Sequence, residues 1–209
     1  MLVGERMSSP VVSIPANTPI NEALNLMRKE HIRRIPVMQN DKLVGIISDH
    51  DLLNASPSPA TSLSIWEMNY LLSKITVKDV ITVSVSTPIE EAARIMADSK
   101  IGGLPVMRGD QVVGIITETD LFKIFVEMMG AREEGIRITV LVPEKHGELA
   151  ELTQAISQIG GNFIAFGQFA GDDPTNREIT FKVTNIAEDQ VRQAIQPFVE
   201  KIIDLRMVG

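Results

Sequence analysis

The chain of 209 residues has no cysteine. Disulfides, thiolate metal centres and a cysteine nucleophile are excluded on that ground, and a cytoplasmic protein is the natural expectation. Histidine is scarce: His31, His50 and His146 stand too far apart to give a metal-ligand spacing such as HxxxH. No G-x-S-x-G elbow, P-loop or paired-carboxylate motif occurs, so a catalytic role is not expected. No apolar run is long enough to span a bilayer. Met1 to Glu5 offers no charged segment followed by an apolar one, so no signal peptide is expected. Aromatics make up 4% of the chain, with one Trp and one Tyr. The net charge is −7. It divides into −3 before Gly130 and −4 from Gly130 onward, so neither half is a basic patch that seeks nucleic acid. The length suffices for one or two domains with real cores.

What is present is an internal duplication. Val44-Gly45-Ile46-Ile47-Ser48-Asp49-His50-Asp51-Leu52 recurs 69 residues later as Val113-Gly114-Ile115-Ile116-Thr117-Glu118-Thr119-Asp120-Leu121. Upstream, Thr18-Pro19-Ile20 meets Thr87-Pro88-Ile89, and Pro36-Val37-Met38 meets Pro105-Val106-Met107. About half the positions from Thr18 to Leu52 equal their partners, without a gap.

In each copy an apolar, β-branched run ends at Ser48 or Thr117 and a helical pattern follows, so a strand feeds a helix N-terminus. Free backbone N–H groups and the positive end of the helix dipole suit an anion or a ribose phosphate there. An Asp three residues after Ser or Thr could accept from a ribose diol. The same spacing is also a capping box, in which the side chains satisfy the helix's own N–H groups. The two readings are compatible. Ser48-Asp49-His50-Asp51 is not a hydrolytic triad, because neighbours at a helix start point in different directions and Thr119 replaces His50 in the second copy.

The rest of each copy reads in order. Pro10 to Ile14 is extended. Thr18 is expected as N-cap with Pro19 at the first helical position, and Ile20, Ala23, Leu24 and Met27 form the apolar face. In the second copy Thr87-x-x-Glu90 should complete a capping box, with Ile89, Ala92, Ala93 and Met96 as the face. Arg33-Arg34 in the first copy meets Gly102-Gly103 in the second. Two guanidiniums could grip a phosphate, whereas two glycines admit close backbone approach. The alternative is that both arginines are simply solvated. The divergence implies that the two clefts are not equivalent. Gln39 to Lys42 and Arg108 to Gln111 are hairpin turns, and Arg108-Gly109-Asp110 is turn chemistry. Between the copies, Ser56-Pro57-Ser58-Pro59 breaks any helix. A helix holding Trp66 and Tyr70 is then expected, with Ile65, Met68, Leu72 and Ile75 at helical spacing.

The doubled pattern Pro-Ile, Ile/Leu-Pro-Val and Gly-Ile-Ile-Ser/Thr-x-x-Asp-Leu resembles a tandem pair of CBS domains, a Bateman module. The resemblance implies a regulatory protein that binds adenosine-containing ligands, such as AMP, ADP, ATP or S-adenosylmethionine, in clefts between the repeats. Carried over, it implies nucleotide contacts at Ser13, Arg33, Arg34, Ser48, Asp51, Ser84, Gly102, Gly103, Thr117 and Asp120. Residues 60–72 are similar to acetoin-utilisation AcuB-type proteins, which implies a link to acetoin catabolism.

From Gly130 the pattern changes. Ala131 to Gly135 is a polar hinge, and Ile136 to Val142 alternates like a strand. A helix spans Gly147 to Ile159 and is closed by Gly160-Gly161. Strands follow at Asn162 to Phe169 and around Ile179 to Val183, then a helix with Val191, Ala194, Ile195 and Phe198, shortened by Pro197, and a last strand through Ile203, Leu205 and Met207. The order is βαββαβ, a ferredoxin-like arrangement. With Gly147-x-Leu149 after the first strand it is similar to an ACT domain. That resemblance implies sheet-mediated pairing and an amino acid held near His146, Gly147 and Leu149. This loop departs from the family by carrying His146 in place of Pro.

The fold expected is therefore α/β (α+β): two β-α-β-β-α repeats followed by a ferredoxin-like domain. The divisions are 1–75 for the first repeat with its inter-repeat helix, 76–129 for the second, 130–135 for a linker and 136–209 for the ACT-like domain. The function expected is ligand sensing by a homodimer with no required cofactor, no metal, and no nucleic-acid or membrane partner. The target protein is not named by any residue. The competing expectation is a dimerisation scaffold whose clefts are closed by side chains.

Overall fold

In the computed structural model, residues 1–55 and 79–209 are described; the expected inter-repeat helix with Trp66 and Tyr70 lies outside them. The chain divides into two compact units, Met1–Leu121 and Phe122–Gly209, and the boundary falls within a helix.

The first unit holds the duplication. Its first repeat consists of β1 (Ile14–Pro15), α2 (Ile20–Glu30), β2 (Arg34–Gln39), β3 (Lys42–Ser48) and α3 (Asp49–Ala55), preceded in the chain by the short helix α1 (Val3–Arg6). The second consists of β4 (Val83–Ser84), α4 (Ile89–Ser99), β5 (Gly103–Arg108), β6 (Gln111–Thr117) and α5 (Glu118–Met128). Each repeat builds a three-stranded sheet in which the first strand runs parallel to the second and the second antiparallel to the third. The registers match at the repeat spacing: Ile14 faces Val37 as Val83 faces Val106, and Pro36 faces Ile46 as Pro105 faces Ile115. Even the register shift recurs, at Val37/Met38 and Val106/Met107. In the first hairpin Asn40 and Asp41 both take positive φ, 50° and 59°. This is the left-handed turn that matches the twist of paired strands and that Asn and Asp tolerate.

The helix faces pack as the spacing demands. Ile20, Ala23 and Met27 enter one core with Ile35, Val37 and Ile47. Ala92 and Met96 enter the other with Leu104, Val106 and Ile116. The helix starts differ from expectation by one residue. Pro19 and Pro88 are the N-caps, and neither helix has a side-chain cap. Thr87 does not close a box with Glu90, because its Oγ1 accepts instead from the Ser84 N–H at 3.0 Å. That bond ties the turn after β4 rather than the helix.

The N-terminal lead has a destination that no periodicity reveals. Val3 is wholly buried in the core of the second repeat, not the first. Its N–H donates to Thr87 O and that of Gly4 to Val85 O, both at 2.9 Å. Ser8 and Ile115 exchange backbone bonds of 2.9 and 3.1 Å. Gly114, in the repeated motif, is what lets this segment in: a Cβ there would stand 2.4 Å from Met7 Sδ and 2.9 Å from Ser8 O.

The second unit contains the last turns of α5, then β7 (Gly135–Pro143), α6 (Glu148–Gln158), β8 (Asn162–Ala170), β9 (Asn176–Thr184), α7 (Glu188–Ile195), a 3₁₀ turn (Gln196–Phe198) and β10 (Lys201–Val208). The 3₁₀ turn falls where Pro197 removes a helical donor. The sheet order is β10-β7-β9-β8 with every pair antiparallel. This is the βαββαβ order expected of a ferredoxin-like arrangement. Ile136, Ile138, Val140 and Val142 of β7 and Ile179, Phe181 and Val183 of β9 meet Leu152, Ile156, Val191 and Ile195 of the helices. Phe163 packs on Phe181 with ring centroids 5.4 Å apart.

The tie of the N-terminus to the second repeat is testable. Val3→Ala removes two carbons from a filled site and should cost the first unit about 2 kcal/mol in urea unfolding. Leu2→Ala, at a position 39% exposed, should change stability by less than about 0.5 kcal/mol. Equal effects of the two would show that the lead contributes no specific packing.

Candidate functional site

Strand β3 delivers Ser48 to the start of α3, and β6 delivers Thr117 to the start of α5. In the first repeat the Ser48 N–H and hydroxyl both donate to Asp51 Oδ2, at 2.9 and 2.6 Å, while the Asp51 N–H donates back to Ser48 Oγ at 3.2 Å. This is a reciprocal cap. In the second repeat the Thr117 N–H and hydroxyl donate to Asp120 Oδ2 at 3.0 and 2.7 Å. The capping geometry is thus real in both copies. At Asp51 it occupies a single carboxylate oxygen, Oδ2.

A cleft of about 350 Å³ opens beside the first cap. One side is formed by Arg34, Ile46, Ser48 and Asp51. The other comes from the second repeat and the segment leading into it: Val80, Ile81, Lys100, Ile101, Gly102 and Gly103. Asp79 completes its charged lining. Cross-strand register places Arg34 directly opposite Ser48, so the guanidinium belongs to the same corner as the capping box.

Arg34 also explains the divergence between the copies. Its side chain reaches over Gly102 and Gly103, with Nη2 3.9 Å from Glu118 Oε2. A Cβ on Gly102 would lie 2.0 Å from that Nη2, and one on Gly103 would lie 3.2 Å from Arg34 Cδ. The arginine of one copy needs the glycines of the other. Read separately, the two dipeptides look like alternative solutions to one task; in the fold they are two halves of one contact.

Five of the ten expected nucleotide contacts come together in this cleft: Arg34, Ser48, Asp51, Gly102 and Gly103. The others do not line it. Arg33 is exposed. Ser13 is exposed just before β1, and Ser84 is engaged with Ser86 in the turn after β4 at 2.8 Å. Thr117 and Asp120 sit at the equivalent corner of the second repeat, with Asp120 buried. Sequence reasoning missed Val80, Ile81 and Lys100. The repeat spacing carries the signal for the first two, since they correspond to Val11 and Val12 of the extended segment in the first copy. Lys100 corresponds to His31, and both close their helices at φ 54°. A left-handed non-glycine costs roughly 1 kcal/mol, and at Lys100 that conformation places a cationic residue in the cleft lining.

In the second unit, Gly147 caps α6 at φ 90° and His146 beside it is exposed. Leu149 is half-buried and packs against the core. Among the described residues no group of three or more His, Cys, Asp or Glu could hold a metal. No helix among them is long and apolar enough to cross a membrane.

Comparison with known proteins agrees with this architecture. A CBS domain pair solved with 5′-methylthioadenosine and S-adenosyl-L-methionine is 28% identical, covers 64% of this chain and 98% of its own, and superposes with a TM-score of 0.53. A Vibrio cholerae protein assigned to acetoin utilization (AcuB) is 31% identical, covers 63% and 95%, and gives 0.54. A CBS protein solved with AMP is 25% identical, covers 60% and 96%, and gives 0.52. A CBS domain-containing protein of Dictyostelium discoideum is 30% identical over 136 residues, 62% of this chain and 94% of its own length. Other curated relatives are much longer, and the chain spans 38% and 37% of two from Methanocaldococcus jannaschii. The CBS-domain model matches residues 3–58 and 72–127, two stretches set apart by the same 69 residues as the internal repeat, and the chain belongs to the CBS-domain family.

Proposed function

We propose that this chain is a non-enzymatic regulatory protein that senses an adenosine-containing ligand in the cleft beside Ser48 and Asp51. The observation that carries the reading is the meeting of Arg34, Ser48, Asp51 and Lys100 in one cleft with apolar walls from Ile46, Val80 and Ile81. Apolar walls suit an adenine ring. Asp51 Oδ1, which the cap leaves over, suits a ribose hydroxyl. Arg34 and Lys100 suit a phosphate, or the carboxylate of S-adenosylmethionine. The neighbours solved with methylthioadenosine, S-adenosylmethionine and AMP support this class of ligand. A phosphate in the cleft would compete with Glu118 for Arg34, whose present partner is only a loose contact at 3.9 Å.

The finer parts of the proposal rest on resemblance. The likeness to the V. cholerae protein supports a role in acetoin utilization. The βαββαβ order of the second unit supports the ACT reading, with an amino acid near His146, Gly147 and Leu149. We retain the division at residues 130–135; both carbonyls that Lys182 holds, those of Gly130 and Glu133, lie in that segment. The edge strands β8 and β10 support a homodimer, and a cytoplasmic location goes with the absence of cysteine.

Three measurements test the proposal. Isothermal calorimetry on Asp51→Asn should show adenosine ligands weakened tenfold to hundredfold, about 1.5–3 kcal/mol, while thermal stability falls by at most about 1 kcal/mol. Asparagine can keep its oxygen on Ser48, but it then turns an amide that cannot accept toward the ribose. Asp120→Asn, outside this cleft, makes the comparison. If adenine nucleotides bind wild type and both variants equally, the two aspartates are caps only. Arg34→Ala should weaken AMP about tenfold or more and adenosine less than about twofold, and equal losses would remove the phosphate role. Sedimentation at micromolar concentration should show at least a dimer. A monomer that binds none of these ligands would leave neither the sensing reading nor its scaffold alternative.

A further inference from the structure

Glu118 opens α5 directly after Thr117, but the cap bonds run from Thr117 to Asp120 and leave its side chain aside. Its carboxylate reaches the other repeat instead. Oε2 stands 3.9 Å from Arg34 Nη2, and both atoms lie over one glycine: a Cβ on Gly102 would be 2.5 Å from Glu118 Oε2 and 2.0 Å from Arg34 Nη2. Asp49 holds the equivalent place in the first copy and behaves differently. It is one methylene shorter, and its Oδ1 accepts from the His50 N–H at 2.9 Å, at its own helix start. Of the two acids, Glu118 is the one that reaches across to the other repeat's arginine.

The contact is an ion pair without a hydrogen bond, because 3.9 Å exceeds the reach of an N–H donor. The Glu118 side chain is 52% exposed, and a pair so placed contributes little to stability. It still bears on whatever Arg34 binds. An anion hydrogen-bonded to that Nη2 would lie within roughly 7 Å of Glu118 Oε2. That is inside the Debye length of about 8 Å at physiological salt, so the two negative charges repel. Among the described residues, the charged lining of the cleft is two cations, Arg34 and Lys100, and two carboxylates, Asp51 and Asp79. Glu118 adds a third acid beside it. The cleft therefore has positive charge for one anionic group and no surplus for a chain of phosphates.

We propose, resting on the adenosine reading above, that Glu118 is a specificity-determining residue. It restricts the cleft to adenosine ligands with a single anionic group, a monophosphate or a carboxylate, and disfavours di- and triphosphates. One such group can take Arg34 from its loose partner. Each further phosphate adds negative charge beside the acids and gains no further cation among the described lining residues. The effect is repulsive, so it sets which ligands are refused rather than how tightly the preferred one is held.

Calorimetry on the full chain, without magnesium, compares adenosine, AMP, S-adenosylmethionine, ADP and ATP. Wild type should bind AMP or S-adenosylmethionine at least about fivefold more tightly than ADP and ATP. Glu118→Gln keeps the size of the side chain and removes its charge. It should tighten AMP about threefold and ATP about tenfold, and change adenosine by less than about twofold. That gain should vanish at 1 M salt, where the Debye length is about 3 Å, whereas a packing effect would persist. Glu118→Asp, the shorter acid of the first copy, should fall between wild type and Glu118→Gln. Neither variant touches the Thr117–Asp120 cap, so the urea midpoint should hold. The proposal is overturned if wild type binds ATP as tightly as AMP, or if Glu118→Gln moves every nucleotide by one factor or moves none. If wild type binds none of the ligands, the adenosine reading itself falls and takes this proposal with it.

Discussion

The bond from the Ser48 hydroxyl to Asp51 Oδ2, 2.6 Å long, is the constraint on which the first unit depends. It ends a strand and starts a helix within three residues, and its counterpart from Thr117 to Asp120 does the same in the second copy. Two donors, an amide and a hydroxyl, converge on one carboxylate oxygen. Sharing that oxygen leaves the other available at Asp51. In the reading proposed above, a residue fixed for the sake of the helix would meet its ligand without a rotamer to freeze on binding. In the proposed site the cap and the ligand contact are one device, which is why sequence spacing alone could not separate them.

Duplication gives two such devices, and the fold does not use them alike. Identical repeats would set Arg34 against another arginine where Gly103 now stands. The observed pair, arginine in one copy and glycine in the other, removes that collision and lets one guanidinium lie across both repeats. The result is a cleft with Arg34 and Lys100 beside the first cap. The N-terminal segment breaks the symmetry in the same way. Residues 3–8 close the second repeat through Val3 and the strip along Gly114, although they precede the first repeat in the chain.

Much of this was legible in the residues. The apolar faces of the repeat helices, the paired hairpins and the βαββαβ order follow from periodicities of 3.6 and 2. The strand-to-helix corners follow from Ser/Thr-x-x-Asp. What escaped is long-range by nature. Nothing near Val3 in sequence says that its core begins eighty residues away, at Val83. Nothing near Gly102 says that the atom requiring its missing Cβ belongs to Arg34. Spacing makes Thr87 a helix cap because it cannot show that the hydroxyl has a competing donor in Ser84. Lys100 carries no such signal: its copy-one equivalent is His31, so the repeat does not mark a lysine there.

Strand β7 shows a subtler limit. Alternation from Ile136 to Val142 predicts one buried face and one solvated face. The apolar face is buried, but Thr139 and Leu141 on the other are buried as well, at 4% and 6% exposure. The sheet is therefore covered in part on both sides. Residues just after α5 reach the second side: a Cβ on Gly167 would meet Met129 Sδ at 3.5 Å, and the carbonyls of Gly130 and Glu133 reach Lys182. A polar pattern on a strand then describes which groups need partners, not which groups meet water. Thr139 answers with Thr180 and Lys182 answers with two carbonyls, so every buried side-chain polar atom among the described residues has a hydrogen-bond partner. Hydrogen bonding is satisfied on this face, although carbonyl oxygens accept the ammonium protons of Lys182 without cancelling its charge. That difference between a satisfied donor and a neutralised one is what sets this face apart from a second apolar core.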